Sequence, residues 1–222
     1  RQQFGGRPAL LVADTNTFAA AGQAVQEAFR RAGCACREPF IFTDPKLCAE
    51  HKHVVALEEA FKGHEAIPVA VGSGTINDLT KLAAHRAGRP YLAVATAASM
   101  DGYTAFGASI TYQGSKQTFH CPAPTAVVAD LDVICAAPAE MNASGYADLL
   151  AKTTAGADWL VADALGVETI DRTAWAIVQG GLREAVANPA GVRSRDHEAG
   201  RQLTEGLMLA GFAMQSAKTS RP

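Results

Sequence analysis

The sequence has 222 residues, 48% of them hydrophobic, with 20 Lys and Arg against 22 Asp and Glu and a net charge of -2. A chain of this composition can bury a sizeable core, and its near-neutral charge excludes the strong positive field that holds nucleic acid or an anionic membrane surface. No apolar run approaches the roughly 20 residues of a membrane span, so we expect a cytoplasmic protein that binds a small molecule, not nucleic acid or a membrane.

The chain has five cysteines, an odd number that argues against a disulfide framework and for a reducing compartment. Cys34, Cys36, Cys48, His51 and His53 lie close enough in sequence to suggest zinc. The two histidines are two positions apart in a predicted helix, however, and therefore point to different faces. Half-buried thiols and surface histidines are the favoured interpretation.

Short apolar runs alternate with amphipathic segments in the first part of the chain, which predicts strands alternating with helices. Such alternation is typical of a doubly wound parallel sheet with helices on both faces, and these sheets bind ligands at the carboxyl ends of their strands. The predicted strands are 8–13, 39–42, 67–71 and 91–95, and the predicted helices are 17–32, 46–62 and 76–86.

After residue 96 the pattern changes to a long loop, a hairpin formed by 108–112 and 116–119, and a last strand at 126–129. Only helices are predicted beyond Pro138, over 143–165, 170–187 and 195–217, and Asn188-Pro189-Ala190-Gly191 is a predicted break. We therefore expect a dinucleotide-binding α/β domain at 1–137 and a helical metal and substrate domain at 138–222.

Gly72-Ser73-Gly74-Thr75 lies between a predicted buried strand and a helix, where backbone amides and the positive end of the helix point to one spot. That arrangement suits a pyrophosphate, although the stretch is not a Walker A motif and lacks the third glycine of the Rossmann fingerprint. The alternative is a plain turn in which Thr75 or Asn77 caps the helix and Asp78 complements its dipole.

Two further polar stretches could carry chemistry. The loop "TAASMDGYTA" contains Thr96, Ser99 and Asp101, and its alternative interpretation is a solvated turn. In "SGYADLLAK", Asp148 and Lys152 are one helical turn apart, a spacing that a surface ion pair would also explain.

Together, "GSGTINDLTK", "TAASMDGYTA" and "SGYADLLAK" closely resemble the sn-glycerol-1-phosphate dehydrogenases, a branch of the iron-containing alcohol dehydrogenase and dehydroquinate synthase superfamily. The resemblance runs from about Leu10 to the last residue. It implies a doubly wound Rossmann-like domain followed by an all-helical domain, and a homo-oligomer. It also implies the reduction of dihydroxyacetone phosphate to sn-glycerol 1-phosphate by NADH or NADPH, with Zn²⁺ or Ni²⁺ polarising the carbonyl.

The resemblance also implies roles for individual residues. Asp101 corresponds to a substrate-contacting carboxylate, and Asp148 to a carboxylate that binds both the metal and the substrate. Asp14 corresponds to an acidic residue near the adenosine ribose. The residues that correspond to cofactor contacts are Gly74, Thr75, Ile76, Asn77, Asp78, Thr96 and Ser99.

The sequence departs from this family at two places. Ala105 stands where the family usually has a serine that contacts the cofactor. In the family, two histidines that complete the metal site follow a segment resembling Ser220-Arg221-Pro222, where the chain stops, and His197 does not match a ligand position. We therefore expect a chain truncated at its C-terminus that keeps the cofactor domain and lacks a competent metal centre.

Two other functions remain open at this point. A dehydroquinate synthase-like cyclase would use NAD and a metal without net consumption of the cofactor, and a non-catalytic nucleotide-binding module would bind the cofactor without turnover. Asp14 disfavours a 2′-phosphate by its charge but does not decide between NAD and NADP.

Overall fold

The computed structural model describes residues 4–220 and divides the chain into two compact units. One, the sheet unit, contains residues up to Thr96 together with Gly107–Ala129. The other, the helical unit, contains Ala97–Phe106 and the chain from Asp130 onward. The structural division thus falls at Asp130, eight residues before the predicted boundary at Pro138, and the loop after Thr96 belongs to the helical unit.

The sheet unit is built on a five-stranded parallel sheet with strand order β2-β1-β3-β4-β7. The central strands β1 and β3 are almost entirely buried because their residues are apolar on both faces, as expected for a parallel sheet covered by helices. The strands are β1 (Ala9–Asp14), β2 (Phe40–Phe42), β3 (Ile67–Gly72), β4 (Leu92–Ala95) and β7 (Ala126–Ala129). This arrangement confirms the predicted α/β fold class.

The first predicted helix of the sheet unit is not regular. It begins as a short turn whose N-cap is Asp14, continues as a π-helical segment, and becomes α-helical only at Gln23. A Cβ atom at Gly22 would lie 2.4 Å from the Phe18 ring, so the π-helical turn leaves no room for a side chain at this position. The helices of this unit are α1 (Thr15–Thr17), the π-helical segment Phe18–Gly22, α2 (Gln23–Arg31), α3 (His51–Ala60) and α4 (Gly74–Arg86).

Helix α3 starts at His51 rather than at the predicted residue 46. The residues before His51 make hydrogen bonds that are not helical. The Asp44 carboxylate accepts the Lys46 N–H, and the Ala49 carbonyl accepts the Thr111 N–H. Thr111 belongs to the hairpin of β5 (Ala108–Tyr112) and β6 (Ser115–Phe119), an antiparallel pair separate from the main sheet. This contact with the hairpin keeps residues 49–50 extended and delays the helix.

The helical unit contains two short helices that the sequence analysis did not predict. The helices are α5 (Leu131–Ala136), α6 (Ala139–Ala164), α7 (Arg172–Ala185), α8 (Pro189–Ser194) and α9 (His197–Ala217). The Asp130 carboxylate caps α5, and Asn188 caps α8. The predicted break at Asn188–Gly191 does separate α7 from α9, but most of it forms the first turn of the short helix α8. Within residues 4–220, no helix combines the length and hydrophobicity needed to cross a bilayer.

Candidate functional site

The strand order of the sheet unit places a switch point between β1 and β3, and we call the region at the carboxyl ends of these two strands the crevice. From β1 the chain moves to β2 on one side, then returns to β3 on the other, so β1 and β3 flank the point where the direction of winding reverses. The register that pairs Val12 with Ala70 brings Asp14 level with Gly72 at the carboxyl ends of both strands. Open parallel sheets bind nucleotides at such switch points.

Gly72 allows β3 to turn directly into α4. A Cβ atom at this position would lie 2.6 Å from the Ile76 Cβ and 2.8 Å from its Cγ1, so any side chain would displace the first turn of α4. The Ile76 side chain is itself buried, 1% exposed, and cannot move aside without disturbing the core. The first glycine of the motif therefore serves the close packing of strand and helix.

The first turn of α4 presents its amides to the crevice. The Ser73 carbonyl accepts the first helical hydrogen bond, from the Asn77 N–H at 2.9 Å, so the N–H groups of Gly74, Thr75 and Ile76 precede the helical ladder. Ser73 is the N-cap and makes no side-chain capping bond. These amides, at the positive end of a 13-residue helix, suit a bound phosphate.

The capping alternative for this motif is wrong, because Thr75 and Asn77 both lie inside α4. Asn77 is 1% exposed, and its side-chain oxygen accepts the Tyr91 hydroxyl at 3.1 Å. The Asp78 carboxylate accepts the Ser109 N–H at 3.1 Å, and burial raises its pKa, while the Lys81 charge lowers it. Asn77 and Asp78 thus fix α4 to β4 and the hairpin.

The cysteine and histidine segment has a different role from a metal site. The His51 ring packs against Tyr112 and its Nε2 accepts a hydrogen bond from Arg86 at 2.8 Å, whereas the His53 ring packs edge-on against Phe42. The two rings therefore face different neighbours, as their spacing predicts. Each of the five cysteines is a free thiol.

The second predicted cofactor segment begins at Thr96, whose N–H donates to the Gly72 carbonyl at 3.2 Å. Thr96 thereby lies beside the glycine motif at the end of β4, and it is buried. Ser99 follows in the loop of the helical unit and is partly exposed.

The loop 97–106 has a defined conformation within the helical unit, so the solvated-turn alternative is wrong. The Tyr103 hydroxyl donates to the Ala97 carbonyl at 2.9 Å, closing the loop on itself. The Asn142 side chain of α6 accepts the Ala98 N–H at 3.0 Å, and the Thr104 hydroxyl donates to the Met208 carbonyl of α9 at 2.6 Å.

Two helical glycines let this loop approach closely. A Cβ atom on Gly145 of α6 would lie 1.9 Å from the Ala98 carbonyl oxygen, and one on Gly211 of α9 would lie 2.1 Å from the Asp101 carbonyl oxygen. Both obstacles are backbone atoms, which have no rotamer to change. The position of Asp101 therefore depends on glycines 44 and 110 residues further along the chain.

Asp101, Asp148 and Lys152 form one polar cluster in the helical unit. The Lys152 Nζ atom donates to Asp101 Oδ2 at 2.5 Å, and the Asp148 Oδ2 atom accepts the backbone N–H of Asp101 at 2.9 Å. The side chains of Lys152 and Asp101 are only 8% and 14% exposed. The alternative of a surface ion pair between Asp148 and Lys152 is therefore wrong, since the lysine is buried and binds Asp101.

Burial raises the pKa of Asp148, and the neighbouring Asp101 charge raises it further. The Asp101 N–H and the Lys152 charge act in the opposite direction. Perturbed carboxylates of this kind gather at functional sites, although structural ion pairs perturb them too.

The residues around Asp148 do not by themselves fit a transition metal. Within residues 4–220, no group of three or more His, Cys, Asp or Glu side chains is arranged to hold a metal ion. The Asp101 carboxylate is already bound to Lys152, and His197 lies at the start of α9, 3.6 Å from Asp132. Catalytic zinc ordinarily has three protein ligands, of which this cluster offers one, the Asp148 carboxylate.

The sequence pattern did not identify the residues that position Asp101 next to Asp148. Lys152 was visible only as a helical neighbour of Asp148. The glycines at 145 and 211 carried a weak signal, because an isolated glycine inside a predicted helix often marks a close approach. The partner of each residue lies too far away in the chain for the pattern to reveal it.

Comparison with known proteins gives consistent results. A sequence profile described as iron-containing alcohol dehydrogenase matches residues 1–138. A curated relative from Halalkalibacterium halodurans, named glycerol-1-phosphate dehydrogenase [NAD(P)+], is 34% identical over 217 residues, which are 96% of this chain and 54% of the relative. The chain thus spans about half the length of the curated relatives it matches.

Solved structures show the same fold. A probable glycerol dehydrogenase from Sinorhizobium meliloti superposes with a TM-score of 0.73 at 20% identity, covering 94% of this chain and 59% of that one. The sulfoacetaldehyde reductase from Bifidobacterium kashiwanohense, solved in complex with NAD+, gives a TM-score of 0.70 at 20% identity, covering 95% and 60%. Both superpositions agree with the fold class predicted from the sequence.

Proposed function

The chain belongs to the iron-containing alcohol dehydrogenase family, and on that premise we propose that it carries the cofactor site and part of the substrate site of a glycerol-1-phosphate dehydrogenase. The reaction is the interconversion of dihydroxyacetone phosphate and sn-glycerol 1-phosphate with NADH or NADPH. The observation that carries the proposal is the crevice between β1 and β3, where β1 ends at Asp14 and β3 leads directly into the first amides of α4.

In this proposal the amides of Gly74, Thr75 and Ile76 bind the cofactor pyrophosphate, because they stand at the positive end of α4 without helical partners. Thr96 and Ser99 follow β4, the next strand, and contact the rest of the cofactor. Asp14 lies at the edge of the crevice, in the place of an acidic residue near the adenosine ribose. Bound NADH or NADPH supplies the hydride.

Asn77 and Asp78 act indirectly in this proposal. Both are occupied by bonds to Tyr91 and Ser109. They hold α4 in the orientation that aims its amides into the crevice. Asn77 and Asp78 correspond to cofactor contacts in the family. In this chain we propose that they support the cofactor site without contacting the cofactor.

Asp101 and Asp148 are the proposed substrate residues. Asp101 uses Oδ2 to bind Lys152, while its Oδ1 has no hydrogen bond within residues 4–220, so Oδ1 is free to accept the hydroxyl of the three-carbon phosphate. Asp148 is proposed to contact the substrate and to contribute one ligand to a divalent metal, Zn²⁺ or Ni²⁺. We further propose a cytoplasmic homo-oligomer.

The test of the function is the stoichiometry of cofactor oxidation by the protein at the full length of its curated relatives. We expect one NADH or NADPH to be consumed for each dihydroxyacetone phosphate reduced, and sn-glycerol 1-phosphate rather than the 3-phosphate as the product. Turnover without net cofactor consumption would support the cyclase instead. Binding without any turnover would support the non-catalytic module.

Replacing Asp101 with asparagine is expected to lower kcat/KM for dihydroxyacetone phosphate by about 100-fold, because the charged acceptor is lost. The structure also predicts an effect of this substitution on stability. Lys152 keeps a hydrogen-bond acceptor but loses its buried counter-charge, so the free energy of unfolding should also fall. Steady-state kinetics beside urea denaturation separate the two effects. A variant that is destabilised but reduces the substrate normally would give Asp101 a purely structural role.

Replacing Gly74 with valine is expected to weaken NADH binding by at least about 100-fold, because a side chain would intrude where the pyrophosphate approaches the first amides of α4. Isothermal titration calorimetry measures the affinity. Gly180→Val is a control for the loss of a glycine outside the crevice, since Gly180 lies in α7 and its Cβ would meet nothing within 4 Å. Unchanged NADH affinity in Gly74→Val would contradict the role given to this turn.

A further inference from the structure

Lys152 is a buried cation that binds the Asp101 carboxylate. It lies on α6, one turn after Asp148, and its side chain is 8% exposed. Its Nζ atom is 2.5 Å from Asp101 Oδ2 and 3.9 Å from the Met214 sulfur of α9. A lysine is rarely buried this deeply unless it is paired.

The backbone around Lys152 is also fixed. Its carbonyl accepts a hydrogen bond from the Gln179 side chain of α7 at 3.1 Å. The lysine is therefore held by α6, α7 and α9, all within the helical unit. A cation anchored in this way restricts the orientation of the carboxylate that it binds.

Two contacts together determine where the Asp101 carboxylate points. Asp148 accepts the Asp101 backbone N–H, which fixes the main chain, and Lys152 binds Oδ2, which fixes the side chain. Both contacts come from the same face of α6. The Oδ1 atom is the part of Asp101 that remains for a ligand.

We propose that Lys152 is the positioning residue of the substrate site: it orients the Asp101 carboxylate and does not touch the substrate itself. This inference rests on the proposed function, because it takes Asp101 as the group that contacts the three-carbon phosphate. The positive charge of Lys152 also offsets the negative charge of Asp101. The Asp101 and Asp148 carboxylates can therefore lie near each other before the substrate binds.

The test is a double-mutant cycle on the full-length enzyme, with kcat and KM measured for dihydroxyacetone phosphate and KM for NADH. Lys152→Met should lower kcat/KM by between about 10-fold and 100-fold, mainly through a higher KM for dihydroxyacetone phosphate, at unchanged KM for NADH. Because the lysine acts through Asp101, the Asp101→Asn/Lys152→Met double variant should be no worse than Asp101→Asn alone.

Lys62→Met is the matched control. It removes another lysine–carboxylate contact of 2.5 Å, to Glu59, but one in which both side chains are 72% exposed. Its kinetics should equal those of the wild type.

The outcomes separate this inference from the proposed function. An inactive wild-type enzyme overturns the function and the inference with it. An active wild type with unchanged KM in Lys152→Met, or losses that multiply in the double variant, overturns the inference alone. If Lys152→Met does not fold, the double variant, which removes both charges of the pair, still tests the inference. A kcat/KM about tenfold lower than that of Asp101→Asn alone would contradict action through Asp101.

Discussion

Gly145→Ala is expected to lower the free energy of unfolding by at least about 3 kcal/mol and to abolish reduction of dihydroxyacetone phosphate. The added Cβ would lie 1.9 Å from the Ala98 oxygen, 2.8 Å from the Ala98 carbonyl carbon and 2.9 Å from a Leu207 methyl group. Two of these atoms belong to the backbone of the loop that carries Asp101, so either α6 or the loop must move. Urea denaturation and steady-state kinetics measure both effects.

Gly180→Ala is the control for this prediction. Gly180 also lies inside a helix, α7, but a Cβ there would meet nothing within 4 Å. Alanine should therefore stabilise the protein by up to about 1 kcal/mol through its higher helix propensity. A Gly145→Ala variant as stable and as active as Gly180→Ala would show that the loop does not approach α6 as described.

Residues 1–222 alone are expected to purify with far less than one equivalent of zinc or nickel and to show negligible reductase activity. The cluster offers the Asp148 carboxylate as its one candidate ligand, and a single hard ligand holds a transition metal weakly. Elemental analysis after dialysis measures the metal content. One tightly bound equivalent in this chain would mean that its metal ligands lie elsewhere.

The same measurement on the protein at the full length of its curated relatives provides the comparison. We expect stoichiometric metal there, lost in Asp148→Ala and on chelation. Retention of the metal in Asp148→Ala would remove Asp148 from the proposed ligands.

The strands of the parallel sheet were predictable because each is a short apolar run between turn residues. Predicted and observed bounds agree within two residues, as for 67–71 and Ile67–Gly72. The delayed start of α3 was not predictable, since it depends on a hydrogen bond from Thr111, about 60 residues away in the chain. The caps at Asp130 and Asn188 belong to residue types that favour the N-cap, so these two helix starts were predictable from the sequence.

In the candidate site, local spacing indicated the residues but not their partners. The glycine motif after β3 was predictable, because the turn, the strand and the helix are contiguous. Lys152 was assigned to Asp148 because the two are four residues apart, whereas its partner Asp101 is 51 residues away. Spacing along the sequence favours Asp148 as the partner of Lys152. Asp101 reaches Lys152 only because the loop 97–106 packs against α6 and α9.

The central claim is that the crevice between β1 and β3 binds the cofactor, and amide chemical-shift mapping of the 222-residue chain during NADH titration tests it most directly. The largest shifts are predicted at Gly74, Thr75 and Ile76, with smaller ones at Thr96, and none of them in Gly74→Val. Shifts centred instead on the cavity of about 650 Å³ lined by Lys62, His64, Arg86 and Arg89, or no shifts at millimolar NADH, would contradict the account.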